Sequence, residues 1–386
     1  MLLNNVTLVT EHEPASIHIS GEKILSVAAA NTTIAFDNIN LQFTDAIAFP
    51  GLINSHDHLD FNCFSPLGNK IYNNYKEWGN YIHANYKQDI AAVLKIPLHL
   101  RVGWGMYKNL LAGVTTVVNH GDFLPIETPL INILQEVQSL HSVKFQKKWK
   151  WKLNNPFLKN KLCVIHTGEG SDTQSAAEID KLLQWNLFKR KLIGVHGIAM
   201  NPEQAKKFEG LVWCPESNNV LLKKHADIAE LKANTRIVFG TDSTLTGNWN
   251  AWHHIRFAKT LKLVGDEELF SMITKSPAQL WNLPTGQIQA GKDADIVIAK
   301  TKNGNAGWDD FFSVNPENIL MVLQKGKIRM FDEILFNQIS SKYVDRKKYS
   351  CVNINSATKF VEGDVPALIN GIKKYNPAVT LPFEAY

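Results

Sequence analysis

The stretch FPGLINSHDHLDFN, Phe49 to Asn62, decides how the rest of the chain is read. Pro50 and Gly51 break the backbone ahead of a short apolar run, and His56 and His58 follow two residues apart. Alternate side chains on a strand point the same way, so both imidazoles face one side and can share a metal. Histidines also pair by accident on surfaces, so the pair needs support from elsewhere in the chain.

Working outward, the middle of the chain repeats a strand followed by a helix. Val114–Asn119 is β-branched, and the apolar run Leu162–His166 precedes the helical Ser175–Phe188. Leu192–His196, Leu211–Cys214 and Arg236–Thr241 are further short apolar runs, each ahead of a helical segment. Such alternation predicts a (β/α)8-type, TIM-like barrel, whose strand C-termini converge on one face. His56, His58, His166, His196 and Asp242 all fall at those strand ends. Between His120 and Lys161 only about forty residues remain, against the ~60 that two full strand–helix units need. The barrel is therefore expected to be reduced or irregular around strands three and four.

Both ends of the chain read differently. Leu2–Val9 alternates apolar and polar residues, Ser16–Ile19 and Ile24–Val27 flank a turn, and Asp295–Ala299 and Met321–Leu323 repeat the style late. A small β-sandwich made from both termini follows. The expected division is 1–48 and 284–335 for that β-domain, 49–283 for the barrel and 336–386 for an extension packing on the barrel or on a partner subunit.

In CVIHTGEG, Cys163 to Gly170, His166 ends a strand and Glu169 lies three residues on, before a helix that Asp172 or Thr173 can cap. The histidine can ligate a metal while the carboxylate moves a proton between water and a leaving nitrogen. LIGVHGIAM ends a strand in His196, and VFGTDSTLTG places Asp242 after a Gly-Thr turn, where it can bind metal and accept a proton. Imidazoles with a carboxylate suit zinc or iron(II) better than calcium or magnesium, which prefer oxygen cages. His120, after the strand-two candidate, and Glu216, in the CPESN turn, are carried as substrate contacts; a surface loop is the competing reading for Glu216.

Taken in order, PGLINxHxHL, the HxxE of His166 and Glu169, the VHG of His196, WCPESN at Trp213–Asn218 and the GTD of Asp242 resemble the amidohydrolase superfamily, in its cytosine deaminase and chlorohydrolase-type branch. GQIQAGKDADIVI, Gly286 to Ile298, is similar to that family's return into the small β-domain, and the resemblance spans roughly residues 1–335. It implies one divalent ion, zinc or iron(II), held by His56, His58, His166 and Asp242. It further implies Glu169 as proton shuttle, and His196 either touching the metal or hydrogen-bonding the attacking water and substrate. Binuclear branches use a carboxylated lysine, for which Lys144 is the nearest candidate.

The implied function is hydrolysis of a non-peptide carbon–nitrogen bond in a small nitrogen-containing ring or amide, by deamination of an aminated heterocycle or opening of a cyclic amide. Hydrolytic dehalogenation on the same scaffold is one alternative. A catalytically inactive amidohydrolase-like binding protein is another, against which the intact histidine set speaks. A net charge of +5 in 386 residues does not suggest a nucleic-acid partner, and no apolar run reaches the ~18 residues a membrane span needs. The start of the chain lacks a secretory pattern, so the expectation is a cytoplasmic protein with no membrane partner, able to form a homo-oligomer. Four scattered cysteines indicate neither a zinc ribbon nor a disulfide framework. KFQKKWKWKL, Lys144 to Leu153, reads as a solvated, partly amphipathic surface segment; an anionic-substrate, nucleic-acid or membrane contact is the competing reading, against which the low net charge speaks.

Overall fold

A computed structural model of the chain describes residues 1–30, 39–302, 307–339 and 344–385. Its centre is α/β with parallel strands: β1 (Leu52–Asp57), β2 (Val114–Asn119), β3 (Asn132–Leu134), β4 (Gln138–Ser142), β5 (Cys163–Thr167), β6 (Leu192–His196), β7 (Gly210–Trp213) and β8 (Arg236–Phe239). They form two parallel sheets, ordered β1-β2-β3 and β8-β7-β6-β5-β4. Every residue of β1, β2, β5, β6 and β7 is buried, which is why these strands are apolar runs rather than alternating ones. The Asp242 amide, just past β8, donates to the His56 carbonyl at 3.0 Å, so the last strand's exit touches the first strand.

Between β2 and β5 the chain economises. Three residues link β3 to β4, far fewer than a crossover helix needs. Before β5 there is only the five-residue helix Trp149–Leu153 and a single 3-10 turn at Pro156–Leu158. Several covering helices elsewhere start on side-chain caps. The Asp172 carboxylate accepts the Ser175 amide at 2.8 Å to open Thr173–Gln184, and Asn201 forms a capping box with Gln204. Thr173–Gln184 buries Ile179 and Leu182, four-residue-turn neighbours on one face, against the barrel.

Strands from both chain ends join one eleven-stranded sheet. Ala46–Pro50 lies inside it, parallel to Leu2–Leu8 and antiparallel to Ile296–Lys300. Residues beyond 335 continue this sheet: Tyr349–Ile354 and Ala357–Glu362 pair as a hairpin, and Glu384–Ala385 adds to its edge. The helix Val365–Tyr375 then packs on Leu98–Leu111, a barrel helix, and the Tyr107 hydroxyl donates to the Glu362 carbonyl at 2.9 Å. The tail is thus built into both layers. Among the described residues no helix is long and apolar enough to cross a membrane.

One close approach positions the site. Gly105, on Leu98–Leu111, lies under the turn that follows His58, and a Cβ there would sit 2.2 Å from the Leu59 carbonyl oxygen. Backbone cannot swing aside as a side chain can. Gly105→Ala should therefore destabilise by about 1–3 kcal/mol, read as a lowered thermal midpoint; an unchanged midpoint would contradict this packing.

Candidate metal centre

His56 and His58 leave the end of β1 on the same side, as strand alternation requires, with ring centroids 5.0 Å apart. His56 is fully buried and His58 half-buried. His166, at the end of β5, brings its Nε2 to 3.1 Å from the His56 Nε2. Asp242 follows β8 and sets its Oδ1 3.7 Å from the Nε2 atoms of both His56 and His58. Groups from residues 56 to 242 thus meet in one buried place.

The backbone strains to achieve this. His196 and Asp242 both adopt left-handed conformations, with φ of +72° and +58°, which non-glycine residues seldom take. Such strain persists where the surroundings over-determine a side chain's direction. For Asp242 those surroundings are visible: Ser217 Oγ donates to Oδ2 at 2.8 Å, Thr246 Oγ1 donates to Oδ2 at 3.2 Å, and the Ser243 amide donates to Oδ1 at 2.8 Å. For His196, the Asn218 Oδ1 lies 2.7 Å from Nδ1. An amide oxygen only accepts, so Nδ1 carries the proton and Nε2 of the neutral ring presents a lone pair to the site. That Nε2 is 3.6 Å from Glu169 Oε2.

Two compact groups have ligand atoms within 4.8 Å of one another: His56, His120 and His166, and His56, His196 and Asp242. His120 therefore adjoins the expected ligands, its ring 4.4 Å from that of His166. His141, which the sequence reading passes over, also reaches the cluster, with its ring 5.1 Å from His166. It is the penultimate residue of β4, a strand-end position like the others, on a strand that no apolar run announces. Glu216 turns to different partners. It accepts the Asn248 amide at 3.0 Å and pairs with His253 and His254 at 3.1 and 3.2 Å. Lys144 lies 3.8 Å from Glu178, whose other oxygen accepts the Tyr75 hydroxyl at 2.9 Å.

Burial pushes the His56, His120 and His166 imidazoles well below the usual histidine range, and the neighbouring rings add to it. Neutral imidazole is the form that ligates metal. Burial pushes the Asp242 carboxyl upward, but His58, His196 and the hydrogen bonds from Ser217 and Ser243 together outweigh it and hold the group ionised. Glu169 goes the opposite way: burial, then Asp242 and Glu178, raise its carboxyl well above the ordinary range. Two carboxyls in one site with opposed proton affinities are the arrangement that a division between ligand and proton carrier requires. Burial also raises the Cys214 thiol well above its usual value, which leaves it inert.

The donor set fits a divalent ion. The His56 and His166 Nε2 atoms face one another at 3.1 Å, the Asp242 carboxylate stands 3.7 Å from the former, and both ring nitrogens of the adjacent His120 are buried without a hydrogen-bond partner. Buried polar atoms left so are uncommon, and several imidazoles with one aspartate are the ligands zinc and iron(II) take.

Comparison with known proteins agrees with this geometry. A family model described as the amidohydrolase family matches residues 158–329, which hold His166, Glu169, His196 and Asp242. The chain is 26% identical over 219 residues to a 5-methylthioadenosine/S-adenosylhomocysteine deaminase of Pyrococcus abyssi, covering 48% of this chain and only half of that protein's length. It is 22% identical over 374 residues to the protein of the same name from Thermoanaerobacter pseudethanolicus, covering 77% of this chain and 84% of that one. In fold it is similar to a zinc-bound adenosine deaminase from Xanthomonas campestris, with a TM-score of 0.72, 15% identity and 98% of each chain covered.

Proposed function

We propose that this chain is a member of the amidohydrolase family and a metal-dependent deaminase of a small aminated heterocycle. The family and its deaminase relatives support an enzyme acting on carbon–nitrogen bonds other than peptide bonds. The observation that carries the reading is the convergence of His56, His58, His166, His196 and Asp242 beside a buried Glu169. Deamination is favoured over cyclic-amide opening by the named activity of the relatives.

We assign His56, His58, His166 and Asp242 as ligands of one divalent ion. His196 joins them as a ligand, because its lone pair faces the same space. When bound, the ion supplies Lewis acidity that brings the ionisation of water towards neutral pH. Glu169 takes the proton from the attacking water at a carboxylate oxygen and delivers it to the leaving nitrogen; its raised proton affinity suits the second half of that task. Asp242, kept ionised, stays available as ligand and hydrogen-bond acceptor. His120 and His141 border the cluster and would meet the substrate ring.

The domain division that goes with this reading is a barrel over 49–283 and a β-domain from 1–48 and 284–335, with 336–386 appended to it. The Asp242-to-His56 contact supports closure of the two parallel sheets into one barrel, and the buried cluster joining Leu3, Ile17, Phe43, Ile296, Leu323 and Phe331 supports a sandwich interior. The reading is tested by metal analysis together with ammonia release from a panel of aminated purines and pyrimidines. Expected are about one zinc or iron per chain and ammonia from at least one member, lost on chelation and restored by metal. A metal-loaded protein releasing ammonia from none of them would sink it.

A further inference from the structure

The end of the barrel opposite the metal centre carries a feature that the reaction does not use. Residues 147–161 precede β5 and residues 185–191 precede β6, so both lie at the strands' N-terminal ends, away from His166 and His196. They are bound together there. Asn154 Nδ2 donates to the Trp185 carbonyl at 2.8 Å and its Oδ1 accepts the Leu187 amide at 3.0 Å. The Arg190 guanidinium donates to the carbonyls of Leu153 and Lys161 at 3.1 and 2.9 Å. The Gln138 side chain, opening β4, donates to the Lys152 carbonyl at 2.8 Å.

This joined surface is both apolar and basic. Phe157 is 92% exposed, Trp151 82%, Leu187 65% and Phe188 50%. Around them Lys147, Lys148, Lys152, Lys159, Lys161, Lys189 and Lys191 are exposed. Residues 137–168 and 181–202 contain no aspartate or glutamate. Glu136 approaches Lys161 at 3.9 Å and Glu209 approaches Lys191 at 4.0 Å; among the described residues the other five lysines have no carboxylate within 4 Å. Lys150 instead lies 3.4 Å over the Trp185 ring. Large apolar side chains this exposed, ringed by one sign of charge, mark a contact surface and not ordinary solvated polarity.

We propose that this end of the barrel is a peripheral docking face for a bilayer surface containing anionic lipid. Trp151, Phe157, Leu187 and Phe188 would enter the headgroup layer while the lysines meet lipid phosphates, the division of roles that interfacial proteins use. The four apolar residues sit on three short segments of one end face, which suits a broad surface. Leu187 offers no ring on which a nucleotide base could stack. A second copy of the chain would set seven lysines against seven. On such a surface the metal centre opens away from the lipid, towards solution. Nothing in this depends on which reaction the site performs.

The test is co-sedimentation of the full chain with phosphatidylcholine vesicles, with and without phosphatidylglycerol. Expected is binding only when phosphatidylglycerol is present, weakened by added salt. Trp151→Ala with Phe157→Ala, and Lys148→Glu with Lys152→Glu, should each weaken it by about tenfold or more. Both pairs lie on the surface, so thermal midpoint and metal content should stay unchanged. Equal binding to both vesicle types, or binding to neither, overturns the proposal. So does vesicle indifference combined with binding of single-stranded or duplex nucleic acid, or with self-association that Trp151→Ala and Phe157→Ala abolish.

Discussion

Glu169→Gln is expected to lower turnover by about 10²–10⁴-fold while leaving the bound metal in place. The substitution keeps the side chain's size and both of its heavy-atom positions, but the amide can neither take a proton from water nor give one up. Little else should change. Glu169 is buried, and its place is fixed through the backbone, where its carbonyl accepts the Tyr75 amide at 3.1 Å. The buried charge the wild type must tolerate, close to Asp242 and within the field of Glu178, disappears in the variant. Stability should therefore be equal or slightly higher, since an amide avoids the desolvation a carboxylate suffers. The measurement is kcat on whichever heterocycle releases ammonia, with metal per chain determined on the same sample. Full turnover at full metal occupancy would remove Glu169 from the chemistry. Loss of the metal together with activity would make it a ligand instead of a proton carrier.

What could be read from sequence was what is periodic or local. Strand alternation placed His56 and His58 on one side, and the apolar runs before His166, His196 and Asp242 put each of them at a strand end. The shortage of residues between His120 and Lys161 announced thin covering there, and the structure has three residues between β3 and β4. Contacts that depend on how elements pack left no such trace. His141 sits in QSLHS, where no apolar run announces a strand, so its position at a strand end went unseen. Asn218 fixes the tautomer of His196 from twenty-two residues away. The left-handed backbone at Asp242 goes with a carboxylate held by Ser217 and Thr246, partners that the local sequence does not announce. Residues beyond 335 extend an existing sheet, and the buried positions of Ala357–Glu362 include a lysine, Lys359, which hides the apolar alternation in the sequence.

Lys108→Met is expected to cost about 3 kcal/mol or more, although Lys108 is not a ligand candidate and would be passed over in any list of them. Lys108 is 1% exposed, and its ammonium lies 3.0 Å from Asp57 Oδ2 and donates to Asn62 Oδ1 at 2.9 Å. Asp57, fully buried between the two β1 histidines, also accepts from Asn54 at 3.1 Å, Asn109 at 2.8 Å and Asn62 at 2.9 Å. Asn54 carries the network across to β8: its Oδ1 accepts the Thr241 amide at 3.0 Å, one residue before Asp242. A single buried ion pair therefore ties the strand bearing two ligands to the turn bearing a third. Methionine fills the same space but leaves the carboxylate without its counter-charge, and three amide donors cannot replace a full positive charge away from water. Asp57→Asn alone should be costly for the mirror-image reason, an ammonium left unpaired. Both changes together remove both charges, so the double variant should be more stable than the sum of the single losses allows, with a coupling of about 1–3 kcal/mol. Urea unfolding of the four proteins measures that cycle, and chelator-driven metal release reports on the ligand set separately. Losses that simply add would mean the two groups do not act as a pair. A faster metal release from Lys108→Met than from wild type, restored towards wild type in the double variant, is what a network holding the first and last strands in register requires.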